Sequence, residues 1–210
     1  MRNVFVTLIL AASLAVPGCT GGNGSGSSGK TSPTTTDGSG KPKDDSTHVI
    51  TGDLTLHGTT KSISFPAKVT GTEDALTLNG TFTIDRTDFG INFNPAQVNK
   101  EVMIKVSVKV GRKGADAGAI TPENTKIDFI GSKKEGMHDG GFKAFSGSIK
   151  PMDTDVTKST ITVEIDTDSI WTDDDEKTKK LTTHLKGPDF FDVKKHPKAS
   201  FVSKEIKAAK

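Results

Sequence analysis

Histidines and carboxylates are the residues of this chain best suited to chemistry. The histidines are His48, His57, His138, His184 and His196. Near neutral pH imidazole serves as general base, proton carrier or metal ligand. Local zinc sites show themselves through short spacings between histidines and cysteines. Here no two histidines stand at i,i+2 or i,i+4, and none has a cysteine partner. No metal ligand set is expected from spacing; only residues scattered along the chain and gathered by the fold could form one. The acidic runs Asp173-Asp174-Asp175-Glu176 and Asp166-Thr167-Asp168 lack the alternating ligands, the glycine and the later glutamate of a calcium loop. The first reads as the solvated start of a helix. No G-x-S-x-G elbow, phosphate loop or G-x-G-x-x-G is present, and no local signature joins Ser, His and Asp into a triad. No catalytic residue and no cofactor are expected.

The densest collection of these side chains is His184 to Phe201, "HLKGPDFFDVKKHPKASF". It has a plainer explanation than reactivity. Gly187-Pro188 stops a helix. The following turn delivers Phe190 and Phe191 to an apolar interior. Pro197 pushes His196 towards an extended conformation at the start of a strand.

The elements around it have period two. Alternating apolar residues run through "HVITGDLTLHG" (Leu54, Leu56), "KSISFPAKV" (Ile63, Phe65) and "ALTLNGTFTIDR" (Leu76, Leu78, Phe82, Ile84). They continue through "EVMIKVSVKVG", "TKIDFIG", the less regular "GGFKAFSGSIKPM", "STITVEIDTDSI" and "KASFVSKEIKA". Strict alternation marks strands with one apolar and one polar face. Eight such runs predict an all-β, antiparallel barrel or sandwich. One segment departs from the period: good helix formers from Glu176 to Lys186, with Thr172 or Asp173 as the cap, predict a short helix between two strands.

An eight-stranded barrel is about wide enough for one apolar ligand. Phe129, Phe142, Phe145, Phe190, Phe191 and Phe201 lie in one half of the chain, Phe65, Phe82, Phe89 and Phe93 in the other. These rings either fill the barrel or line a tunnel, and alternation alone does not choose.

Ahead of the strands the chain is of another kind. Arg2 and the apolar run Val4 to Val16 form the first two parts of an export signal, too short to span a bilayer. Val16-Pro17-Gly18-Cys19 is similar to a bacterial lipobox, with Pro17 as its unusual residue. It makes Cys19, the one cysteine of the chain, the expected lipidation site at the end of a signal peptide covering residues 1–19. Residues 20–45 hold no large apolar side chain and read as a Gly/Ser/Thr tether reaching on the order of 30 Å. Thr20 rather than Asp after the cysteine favours the outer membrane by analogy with Gram-negative sorting. The formal net charge is +2, with both signs interleaved, so nucleic acid is not an expected partner. The oligomeric state is open, and a homodimer is compatible with the sequence.

Several segments of residues 46–210 carry a resemblance. "ITGDLTLHGTTKSISFP", "GTFTIDRTDFGI", "TKIDFIGSKKEGMHDGGFKAFSGSI" and "LTTHLKGPDFFDVKKHPKASFVSKEI" resemble the YceI family, and the histidine-bearing stretches are its most specific marks. The resemblance implies an exported, eight-stranded, lipocalin-like barrel that binds polyisoprenoids or similar long-chain amphiphiles, without catalytic residues. It favours a lined tunnel. The expected lining is Leu54, Leu56, Phe82, Phe129, Phe142, Phe145, Ile161, Val163, Phe190, Phe191 and Phe201. One departure is large: residues 46–113 resemble the family's C-terminal half and residues 120–210 its N-terminal half. The chain reads as a circular permutant, joined through "GRKGADAGAITPEN" and cut in the turn between Lys210 and Asp44. The first and last strands of an up-and-down barrel are neighbours, so the same barrel is expected, with fraying near 46–52 and 200–210. The implied protein is a membrane-tethered lipid binder on the periplasmic face. A filled barrel acting as a periplasmic interaction or stress module, or a hydrolase, are the alternatives.

Overall fold

The structure is a computed structural model, and it describes residues 45–173 and 179–209. The signal segment, Cys19 and nearly all of the tether lie outside the described residues. The alternating runs form β1 (His48–Leu56), β2 (Thr59–Gly71), β3 (Ala75–Asp85), β4 (Glu101–Gly111), a two-residue β5 (Ala119–Ile120), β6 (Thr125–Lys133), β7 (Gly136–Phe142), β8 (Phe145–Lys150), β9 (Thr160–Asp166), β10 (Ile170–Thr172) and β11 (Lys198–Ala208). β4 shows why. Val108 and Val110 are buried while Lys105, Ser107 and Lys109 between and beside them are exposed, as a pleated strand with one wet face requires.

All strands pair antiparallel in one curled sheet, in the order β10-β7-β6-β4-β3-β2-β1-β11-β9-β8-β5. This corrects the expected eight-stranded closed barrel: among the described residues there are eleven strands, and the order is open, with β10 and β5 at its ends. The reason is bending. "GGFKAFSGSIKPM" breaks at residues 143–144, so that β7 pairs with β6 and β10, while β8 pairs with β9 and β5. "STITVEIDTDSI" breaks at a 3-10 turn, Thr167–Ser169, between β9 and β10. The two breaks hold each other: Ser169 O accepts the Lys143 N–H at 3.2 Å, and Ser169 Oγ accepts the Ala144 N–H at 3.0 Å. β5 is too short to have shown a period.

β1 and β11 lie side by side from His48↔Ala208 to Thr55↔Ser200, with one register shift at Thr51/Gly52. The Ala209 N–H donates to Thr47 O at 2.8 Å. The first and last described strands are therefore direct neighbours. Between β4 and β5, the Gly118 N–H donates to Gly111 O at 2.8 Å and Gly118 O accepts the Ile149 N–H at 2.8 Å, which stitches β4 to β8.

The helix is α1 (Lys180–Lys186), and it stops at Gly187 as its sequence directs. Its start differs from expectation. Thr172 ends β10, Asp173 pairs with His138 at 2.9 Å, and Lys179 with a φ of 42° occupies the cap position. Residues 174–178 lie outside the described residues. Among the described residues no helix is long and apolar enough to cross a membrane. One apolar cluster, built on Ile50, Val110, Ile120 and Ile149, fills part of the sheet's inner face. A second joins Ile91, Ile170, Leu185 and Phe190 beneath α1 and the segment after it.

Candidate functional site: an apolar cavity inside the sheet

Within the curled sheet lies a cavity of about 500 Å³, within the size range of small-molecule and cofactor sites. Leu54, Leu56, Phe82, Phe129, Phe142, Ile161, Val163, Phe190, Phe191 and Phe201 line it. Phe145 does not. It is buried in the apolar cluster around Ile149, because its strand begins just past the 143–144 bend and its ring turns into packing. Val102, Ile104, Val106 and Val108 of β4 also face the cavity, as do Ile50, Ile63, Phe65 and Ile84. Their alternation is visible in the sequence, but alternation alone does not separate the residues that face a cavity from those that only pack.

Ring contacts shape the walls. Phe65 stacks on Phe82 with centroids 4.2 Å apart and meets Phe201 at 5.8 Å. Phe142 stands at 6.1 Å from Phe129 and edge-on to Phe191 at 5.8 Å. Gly140 makes room for one of these rings, since a Cβ there would sit 2.4 Å from Phe129 Cζ. Phe190 and Phe191 arrive through a tight turn in which the Phe190 N–H donates to Gly187 O and the Phe191 N–H to Leu185 O.

Polar groups gather at one part of the lining: Asn94, Gln97, Asn99, Ser132, Lys133 and His138. They are near one another because Val98 bridges to Lys133 and Asn99 Nδ2 donates to Ser132 Oγ at 2.7 Å. Arg86 also reaches the lining, and only 4% of its surface is exposed. Its guanidinium donates to four main-chain carbonyls, those of Ile91 (2.5 Å), Phe93 (2.8 Å), Val98 (2.9 Å) and Asn99 (3.0 Å). One cation thus pins the loop 91–99 that carries Asn94, Gln97 and Asn99. Burial lowers the Arg86 pKa, opposed by the charge of Asp85. Burial pushes the Asp85 carboxyl up. The Thr87 hydroxyl and amide outweigh it, with help from Lys100 and Arg86, and hold Asp85 below the usual carboxylate range.

Sequence spacing missed one constellation. His57, Asp192 and His196 come together so that one ligand atom from each lies within 4.8 Å of the others. Burial lowers the His196 pKa, as do His57 and Lys195, against the charge of Asp192. Among the described residues two further histidine–aspartate contacts are simple pairs, His138–Asp173 at 2.9 Å and His184–Asp189 at 3.0 Å. The separations of 57, 192 and 196 along the chain gave no local signal; only the fold brings the β1–β2 turn to the segment after α1.

The model of the YceI-like domain matches residues 28–110 and 119–210. The chain belongs to the YceI family. The match falls into two parts, and the gap between them, residues 111–118, lies in the segment that leads from the end of β4 to β5. Two relatives from Pseudomonas putida, the UPF0312 proteins of strains F1 and GB-1, are each 38% identical to it over 69 residues. That stretch is 33% of this chain and 34% of each relative, so the chain spans about a third of the length of these curated relatives. No solved structure matches the chain. Membership of the YceI family suggests a binding protein of barrel type.

Proposed function

We propose that this YceI-family chain holds a long-chain amphiphile of the polyisoprenoid or fatty-acyl type in the cavity of its curled sheet. The observation that carries the reading is the cavity of about 500 Å³, walled by phenylalanine, leucine, isoleucine and valine with polar groups gathered along one part. Such a lining takes up an apolar chain with about 0.8 kcal/mol from each CH₂ removed from water. The Asn94–Asn99 loop and Ser132 to His138 offer hydrogen bonds to a head group. Space of this size counts against a filled interior acting only as an interaction module. The lipid on Cys19, the tether of residues 20–45 and a place on the periplasmic face of the outer membrane belong to the same proposal. So does the permuted order of the two halves, which the adjacency of β1 and β11 and the two-part family match support.

Native mass spectrometry of the purified chain tests the ligand. A co-purifying apolar amphiphile, or saturable uptake of added polyprenol or fatty acid by stripped protein, is expected. A clean apo mass together with no uptake of either would overturn the reading. Metabolic labelling with a palmitate analogue tests the anchor: label is expected on the wild type and not on Cys19→Ser.

A further inference from the structure

We propose that His57, Asp192 and His196 form a site for a divalent transition-metal ion of the zinc class, and that the ion ties the β1–β2 turn to the segment carrying Phe190 and Phe191. Two elements built for other reasons meet here. His57 and Gly58 are the two central residues of the hairpin turn, with φ of 51° and 72°, the mirror-image turn that a two-residue hairpin prefers. Asp192 and His196 belong to the turn after α1, which is held by main-chain bonds. The Asp192 N–H donates to Gly187 O at 2.9 Å and the His196 N–H to Asp192 O at 2.8 Å. Thr167 Oγ1 donates to His196 O at 2.7 Å. All three side chains are half-buried.

Three observations point to a ligand rather than to packing. First, His57 Nδ1 lies 3.2 Å from Phe89 O. A carbonyl only accepts, so this nitrogen carries the proton and the lone pair stays on Nε2. Metal-binding histidines commonly donate their other ring N–H in this way. Second, the rings of His57 and His196 are 4.6 Å apart, so the fold brings two imidazoles from distant segments to one place with the Asp192 carboxylate beside them. Third, His196 lies against a residue without a side chain: a Cβ on Gly58 would be 2.7 Å from His196 Cε1. The hairpin turn therefore has room for this ring.

The donor set decides the class of ion. Two imidazole nitrogens and one carboxylate suit zinc and its neighbours, whereas calcium and magnesium prefer all-oxygen sites. Bonds of about 2.0–2.2 Å require the ligand atoms to draw together by roughly an ångström from their present separation, and water completes a tetrahedron. The carboxylate of Asp192 stands directly after Phe191, so an ion here would fix the backbone that presents both rings to the cavity.

The test uses the full chain, freed of metal with a chelator and desalted, and titrated with Zn²⁺ by calorimetry and with Co²⁺ by visible absorption. One equivalent of Zn²⁺ and the intense absorption of four-coordinate cobalt are expected, together with a rise in Tm on adding Zn²⁺. His196→Ala and Asp192→Asn should each weaken binding at least tenfold, while His138→Ala and His184→Ala leave it unchanged. Histidine ring NMR of the unmodified chain removes dependence on variants that fold poorly. Zn²⁺ should shift the ring signals of His57 and His196 and leave those of His48, His138 and His184 in place. No saturable uptake, uptake indifferent to His196 and Asp192, or ring shifts at the other histidines would each overturn the site. None of these readouts depends on whether the cavity holds an amphiphile.

Discussion

Arg86 anchors the loop 91–99 by a division of labour that no other side chain can copy. Only a guanidinium offers five N–H donors in a fixed fork, and here four of them go to four carbonyls. Arg86→Met would leave those carbonyls short of a partner in a buried place, at a cost of more than about 3 kcal/mol. Arg86→Lys, with its single ammonium, should recover less than half of the loss; urea unfolding of the three proteins measures both. His48 gives a pH dependence of known sign. Burial holds its pKa below the ordinary value, against the charge of Asp155. The unfolded chain, titrating near 6.5, then binds the proton more readily than the folded one. Stability contributed by the neutral form is present above about pH 6.5, is lost as pH falls from there to the depressed folded value, and changes no further below it. His48→Gln should flatten that part of the profile, with urea midpoints at pH 7.5 and 5.5 as the comparison. At this scale the sequence showed the apolar lining best. It showed the roles of Arg86 and His57 least, because both depend on carbonyls or rings contributed by distant segments.

Alternation located the strands well, since a strand with one wet face must show period two over its whole length. β4 was legible from end to end for that reason. The bends at 143–144 and 167–169 were not: each shifts the parity of the inward residues, from Phe142 to Phe145 and from Ile165 to Ile170, and a lapse in alternation does not say that the strand changes partner. The start of α1 departs from propensity: Thr172 and Asp173 are good caps, but pairing with β7 and with His138 claims them. The β1–β11 pair carries the consequence of the proposed permuted order. β1 is paired on both sides along its length, β11 has β9 as a second partner over Lys198–Val202, and Ile50 and Ile206 are buried opposite one another. Fraying should therefore be confined to the outermost rungs. In hydrogen exchange the amides of Thr47, His48 and Ala209 should exchange fast and those around Ile50 and Ile206 as slowly as the centre of β3. A chain in which Ala209 is joined to Ser46 through a short polar turn, and opened between Arg112 and Ala117, should fold to the same sheet and protect those rungs. A rejoined chain that fails to fold would count against the permuted reading.

The whole molecule is a curled sheet around a space, and the volume of that space was invisible in the sequence. Alternation states which way residues face, not how far apart opposite walls stand. Ile104 offers a way to change the volume alone, since it lies between Phe82 and Phe129 across the pleat and lines the cavity. Ile104→Trp should shift the bound amphiphiles towards shorter chains with a loss of stability of about 1–3 kcal/mol, seen by native mass spectrometry and thermal unfolding together. The paired breaks at 143–144 and 167–169 have a kinetic consequence. They splice the two flanks of the sheet with covalent backbone and bind the splices to each other through Ser169. On the proposed function, an occupant would then thread in lengthwise rather than part the flanks at these splices. Residence time would then lengthen with each added unit of chain, and a bulky branch at the leading end would bar loading altogether.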